Sequence, residues 1–234
     1  MPDLFNGGRL DMPVAPVPHE AASLVWGDSI VNRVAVLVTL ILFLIELTDL
    51  IRLFPQLLRC VSRWKGNLEL EHSVSMARTR NTVALVTSLV LVLVADRWML
   101  PYSGLRARIP ETWRVLFLAA AVGGYVLLRW LFYLATPFRS RINEFASCLR
   151  HSMYNYQILL SSLMLVTVLP LVAFGVPDAS IRIVLLVETG LFTALYLIRS
   201  RQIFASRCSI LATILYLCAL EILPLGILSF VCII

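Results

Sequence analysis

Residues 31–53 read VNRVAVLVTLILFLIELTDLIRL, an apolar run with one arginine near its start and Glu46, Asp49 and Arg52 near its end. A helix of that length rises ~34 Å at ~1.5 Å per residue, enough to cross ~30 Å of hydrocarbon. In lipid a lone segment satisfies its own backbone donors and acceptors only as a helix, and the alternation of a barrel strand is absent here. Further blocks of the same kind follow at 82–100, 113–134, 156–174, 181–198 and 209–231. The expected fold is all-α: a polytopic transmembrane helix bundle of six spans over residues 31–234, preceded by an irregular tail over residues 1–30.

Composition agrees. The 234 residues are 59% hydrophobic and 15% charged with a mean hydropathy of +0.86, whereas soluble domains run near ~45–50% and ~25%. A water-soluble fold is thereby excluded. The net charge of +6 would suggest nucleic acid in a soluble protein, but the basic residues mostly flank apolar blocks, so membrane orientation accounts for them and no nucleic-acid partner is expected. The tail holds four prolines and a Gly7-Gly8 pair, with a short surface helix expected near residues 21–26. No cleavable signal peptide is expected, because no short apolar core stands between basic residues and a small-residue cleavage site.

Orientation follows from the arginines and lysine. Arg52, Arg59, Arg63, Lys65, Arg78, Arg80, Arg139, Arg141, Arg150, Arg199, Arg201 and Arg207 fall on one side, and Arg9, Arg33, Arg97, Arg106, Arg108, Arg114 and Arg182 on the other. The larger set belongs in the cytoplasm, which puts both termini on the non-cytoplasmic side of the membrane. Arg106 and Arg108 run against the bias.

Ionisable residues within the spans are costly unless partnered or hydrated. Glu188 lies ~10 Å below the outer start of the fifth span and Glu221 ~18 Å above the inner start of the sixth, so the two share one level. A cluster of Glu188, Glu221 and Arg97 is expected, with Asp96 at its rim. Two carboxylates sharing one arginine do not both carry charge comfortably, which suits proton exchange; the alternative is a buried glutamate bonded across helices to fix packing. A second group, Glu46, Asp49, Arg52 and Arg129, shares a level nearer the cytoplasm, where structural ion pairing and snorkelling to water are expected. Pro224 leaves the carbonyl of Leu220 without its usual donor beside Glu221, and Pro170 does the same to Val166, giving kinks or cavity linings.

Small residues recur at four-residue spacing in Ala119/Gly123, Ala120/Gly124 and Gly190/Ala194, allowing close helix approach within the bundle or at a dimer seam. The five cysteines contain no C-x-x-C, and Cys60, Cys148 and Cys208 fall on the predicted cytoplasmic side, where thiols stay reduced. Cys148-x-x-His151 places two metal-ligand types one turn apart, but the other ligands would have to come from separate loops, so no metal site and no cofactor are expected. Trp98, Tyr102, Trp113, Trp130, Tyr133, Tyr154 and Tyr156 fall at predicted interfaces as a headgroup belt. Residues 150–156 are polar and aromatic enough for a docking surface, or form the entry to the fourth span.

Residues 215–225, LYLCALEILPL, with Tyr154-Asn-Tyr156 and Tyr196-Leu-Ile-Arg199 upstream, resemble the C-terminal pattern of a multi-pass inner-membrane family of the Bacteroidota catalogued as a domain of unknown function. The resemblance covers about the C-terminal two-thirds and brings no activity. A loose association with haem biosynthesis is all it implies, and the spans hold no histidine to ligate a haem.

Three functions fit a chain of this kind. A non-enzymatic structural or accessory component of a membrane assembly needs only packed helices, the lipid bilayer, and a membrane-protein partner or second copy. A proton-coupled transporter or channel would use Glu188 and Glu221. A membrane enzyme would show an interfacial Asp, His or Ser constellation, which is not found at recognisable spacing. The first is the expectation and the second its alternative.

Overall fold

The structure is a computed structural model that describes residues 26–27, 29–63, 66–67, 70, 73–100, 109–135, 143–205, 214, 218 and 222–227. Its long helices are α1 (Ile30–Ser62), α2 (Val74–Val94), α3 (Glu111–Ala135), α4 (Asn143–Ala173) and α5 (Asp178–Ala205), with a π-helical turn at Ala95–Met99 continuing α2. These five are long and apolar enough to cross a membrane, and the described residues contain no strand. Five of the six apolar blocks are thus helices of spanning length. The sixth, 209–231, and most of the tail, including 21–25, lie outside the described residues except at 214, 218, 222–227 and the segment from Trp26 onward. Near the end of the sixth block, Pro224 is buried.

Helix α1 runs nine residues past the expected end of its span, to Ser62. At 33 residues it is ~50 Å long, more than hydrocarbon requires, and its last turns run from about Leu50 to Ser62. Those turns carry the best-buried part of the helix. Leu50, Leu53 and Leu57, on one face at helical spacing, pack with Val83 and Ala84 of α2 and with Ile158 and Leu159 of α4. Toward the opposite end, Val90 and Val94 of α2 meet Leu160, Met164 and Val168 of α4 and Ile181 and Leu185 of α5. A third patch joins Val92 of α2 to Val115 and Leu118 of α3. Helix α2 contributes to all three, so it is the axis around which the others are arranged. By contrast Val34, Leu37, Ile41, Leu44 and Ile45 of α1 are exposed, a face suited to hydrocarbon.

The α4–α5 connection is fixed by local chemistry. Gly175 has φ of +67°, its N–H donates to the carbonyl of Val172 at 3.0 Å, and the Val176 N–H donates to Leu171 at 3.0 Å. This pair of bonds is a Schellman ending, and glycine enters its left-handed position without the Cβ penalty. Pro177 then precedes α5 and accepts from the N–H groups of Ser180 and Ile181. The short link folds α5 back along α4.

At the other end Gly66 lies against the terminus of α1. A Cβ built there would stand 2.9 Å from both the carbonyl carbon and oxygen of Arg59, so the backbones meet at a distance only glycine allows. We expect Gly66→Ala to destabilise the purified chain by about 1–3 kcal/mol, and Gly175→Val to lower stability by about 1–2 kcal/mol while Gly175→Asn is better tolerated. Thermal unfolding in detergent, followed by circular dichroism, measures both effects.

Candidate functional site

Polar side chains collect at the two ends of the bundle. At the Asp178 end the π-helical turn is the organising element: the Leu100 N–H donates to Ala95 at 3.1 Å, and the wider turn rotates the residues within it relative to an α-helical register. Asp96 points toward the start of α1, where it is 1% exposed and accepts a 2.7 Å bond from the Trp26 indole N–H. Trp26 is itself held by Asn32, whose Nδ2 donates to the Trp26 carbonyl at 2.9 Å. Arg97 and Trp98 face α5. Arg97 pairs with Asp178 at 3.6 Å, and the Trp98 indole N–H donates to the other Asp178 oxygen at 3.0 Å. The Arg97 guanidinium also lies 5.7 and 5.4 Å from the ring centroids of Trp26 and Trp98, a cation–π arrangement. Asp178 stands in the first turn of α5, where a negative charge is favoured by the helix dipole.

Of the expected outer cluster, the described residues include Asp96, Arg97 and Glu188. Asp96, expected at the rim, is almost wholly buried. Arg97 meets Asp178 at the entrance of α5, ~15 Å along the helix from Glu188. Glu188 continues the stripe of Ile181 and Leu185 that faces α4, and its Oε2 accepts from the Thr167 hydroxyl at 3.4 Å. Glu221 lies outside the described residues. Asp178 and Trp26 were not singled out by sequence reasoning because each stands just outside an apolar block; the signal was available in a helix-initial aspartate after Pro177.

The expected inner group separates into three. Asp49 and Arg52 form an exposed pair along α1 at 3.9 Å, of the kind that contributes little to stability. Glu46 lines a narrow gap with Phe43, Leu50, Val83, Val86 and Thr87, and its buried Oε2 has no hydrogen-bond partner. Arg129, 3% exposed, reaches across to α4 and α5: Nη2 donates to the Tyr196 hydroxyl at 2.7 Å and Nη1 to the Met153 sulfur at 3.1 Å.

The Arg199 end is tied more extensively than the sequence suggested. Arg199 Nε and Nη2 donate to the carbonyls of Val61 and Ser62 at 3.0 and 3.1 Å, so a side chain of α5 caps the C-terminus of α1, where orphan carbonyls and the dipole favour a cation. Asn155 donates to Asn67 at 2.7 Å, and the Tyr156 hydroxyl donates to the Cys60 carbonyl at 3.3 Å. The rings of Tyr156 and Tyr196 lie 5.7 Å apart. Arg80, 1% exposed, donates to Asn81 Oδ1. Residues 154–156 and 196–199 therefore converge, from two helices, on the end of α1.

A family described as a domain of unknown function, DUF4271, matches the chain over residues 34–231. The chain belongs to this family. No curated protein and no solved structure matches it. The DUF4271 region takes in α2 to α5 and nearly all of α1, so both polar layers fall within it apart from Trp26 and Asn32.

The Asp178 contacts can be separated by substitution. Asp178→Asn keeps an acceptor for Trp98 and removes the ion pair, which costs less than about 1 kcal/mol at this exposure; Asp178→Ala also strands the Trp98 indole and costs about 1–3 kcal/mol. The larger loss is expected for alanine in detergent unfolding, and a double-mutant cycle with Arg97→Ala isolates the charge pair.

Proposed function

We propose that this chain is a six-span protein of the bacterial inner membrane, with both termini on the non-cytoplasmic side, that acts as a non-enzymatic structural or accessory component of a membrane assembly. The observation that carries this reading is the use made of the buried and half-buried polar groups. Asp96, Arg97, Arg129, Glu188 and Arg199 each bond to a different helix or to the segment before α1. Such bonds fix the relative positions of helices in lipid. The orientation is supported by the gathering of Arg59, Arg63, Arg78, Arg80, Arg199 and Arg201 toward one end of the described helices. The apolar face of α1 offers a lateral surface for lipid, a second copy or another membrane protein.

The second reading is a proton-coupled transporter or channel using a buried Glu188/Glu221 pair. It is favoured by the burial of Glu188, 9% exposed, in mid-helix, since intramembrane carboxylates commonly mark proton paths. Flux separates the two. In liposomes enclosing a pH-sensitive dye, the accessory role predicts the same proton leak for the wild-type chain, Glu188→Gln, Glu221→Gln and empty vesicles, together with co-purification of a partner from native membranes in mild detergent. Proton or solute flux that either glutamine variant abolishes would establish the second reading instead.

A further inference from the structure

Between α3 and α4, toward the Arg199 end, lies a cleft of about 450 Å³ lined by Gly123, Val126, Leu127, Arg129, Trp130, His151, Met153 and Tyr154. That volume is in the range of small-molecule sites. Its lining is graded. His151, Tyr154 and Arg129 stand at one end, with the His151 and Tyr154 rings 5.8 Å apart. Gly123, Val126 and Leu127, at helical spacing along α3, lead away from them toward the middle of the span Trp113–Phe132. Arg129 lies ~24 Å along that span, at the depth where hydrocarbon gives way to headgroups, while Gly123 lies ~15 Å along it, near mid-bilayer. Trp130 and Leu127 are substantially exposed, so the cleft opens sideways, toward lipid.

We propose that this cleft binds an amphiphile with a net-anionic phosphate headgroup, the head on Arg129, His151 and Tyr154 and the chain along Gly123, Val126 and Leu127. An arginine fork donates to phosphate oxygens in pairs, and a charge in a low-dielectric wall attracts an anion more strongly than one in water. Here the fork is directed in advance. Tyr196 and Met153 hold its two Nη atoms, and the Tyr196 ring lies 6.0 Å from the guanidinium carbon, so little ordering remains for binding to impose. The phenol of Tyr154 and the imidazole of His151 supply further donors at the mouth. Gly123 keeps the chain's path open: a Cβ built there meets no atom within 4 Å. The apolar arm is what distinguishes an amphiphile from a dissolved anion, which gains nothing from it. This site is independent of the accessory role proposed above and of the glutamate pair.

Native mass spectrometry of the full chain from mixed micelles of phosphatidylglycerol and phosphatidylcholine tests the proposal. The wild type should retain phosphatidylglycerol in preference. Gly123→Leu, which fills the apolar arm without touching the polar end, and Arg129→Gln, which removes the charge, should each weaken that retention about tenfold or more. Inorganic phosphate at equal concentration should not displace the lipid. Equal retention of the two lipids overturns the proposal, as does unchanged retention in Gly123→Leu, which decides the matter if Arg129→Gln does not fold. Displacement by inorganic phosphate alone overturns the amphiphile and leaves a soluble-anion site.

Discussion

In hydrocarbon an apolar side chain gains almost nothing by leaving its surroundings for another apolar side chain, so the drive that folds a soluble core is missing between these helices. What remains is close packing and the bonds of groups for which lipid offers no partner. The disposition of this chain follows that constraint. Its apolar clusters are built around α2, which contributes to each of them, while its polar ties lie toward the two ends: Trp26 to Asp96 and Arg97 to Asp178 at one, Arg199 to the end of α1 and Asn155 to Asn67 at the other.

The same constraint explains what the sequence disclosed. Run length alone identified five helices, because lipid permits a spanning segment no other regular form, and the apolar runs are long enough to be read without alignment. Counting residues also assigned the charged groups to levels along the helices. It could not supply rotation or partner. Glu46 and Asp49 share a level on α1, yet one lines the gap toward α2 and the other pairs along the exposed surface. Asp96 stands in the π-helical turn, buried against Trp26, a partner that counting along the span does not reveal. The bonds that matter most here join residues far apart in the chain, such as Trp98 with Asp178 and Arg129 with Tyr196, and neither periodicity nor composition encodes such pairs.

Two short segments of α4 and α5 gain physical content from the geometry. Tyr154, Asn155 and Tyr156 are consecutive on α4 and serve three ends: Tyr154 borders the cleft, Asn155 bonds Asn67, and Tyr156 bonds the last turn of α1. On α5, Tyr196 and Arg199 are one turn apart, and they hold Arg129 and the carbonyls of Val61 and Ser62. The two short motifs thus form one structure, which both closes the Arg199 end and aims a buried arginine into the cleft beside it.

The two best-placed arginines show how similar side chains can be held for different ends. Arg97 meets a carboxylate on a partly exposed helix entrance, between two indoles; charge there is compensated within the chain and the pair acts as a fastener. Arg129 is nearly wholly buried, and its hydrogen-bond partners include a phenol and a thioether. Such partners fix the direction of a guanidinium at the edge of the space the side chain borders. Lysine would not serve as well at that position, since a point charge on a flexible stem lacks the planar fork that two separate partners can lock. The distinction lies in what each guanidinium touches rather than in the arginine, which is why burial alone assigns neither residue a role.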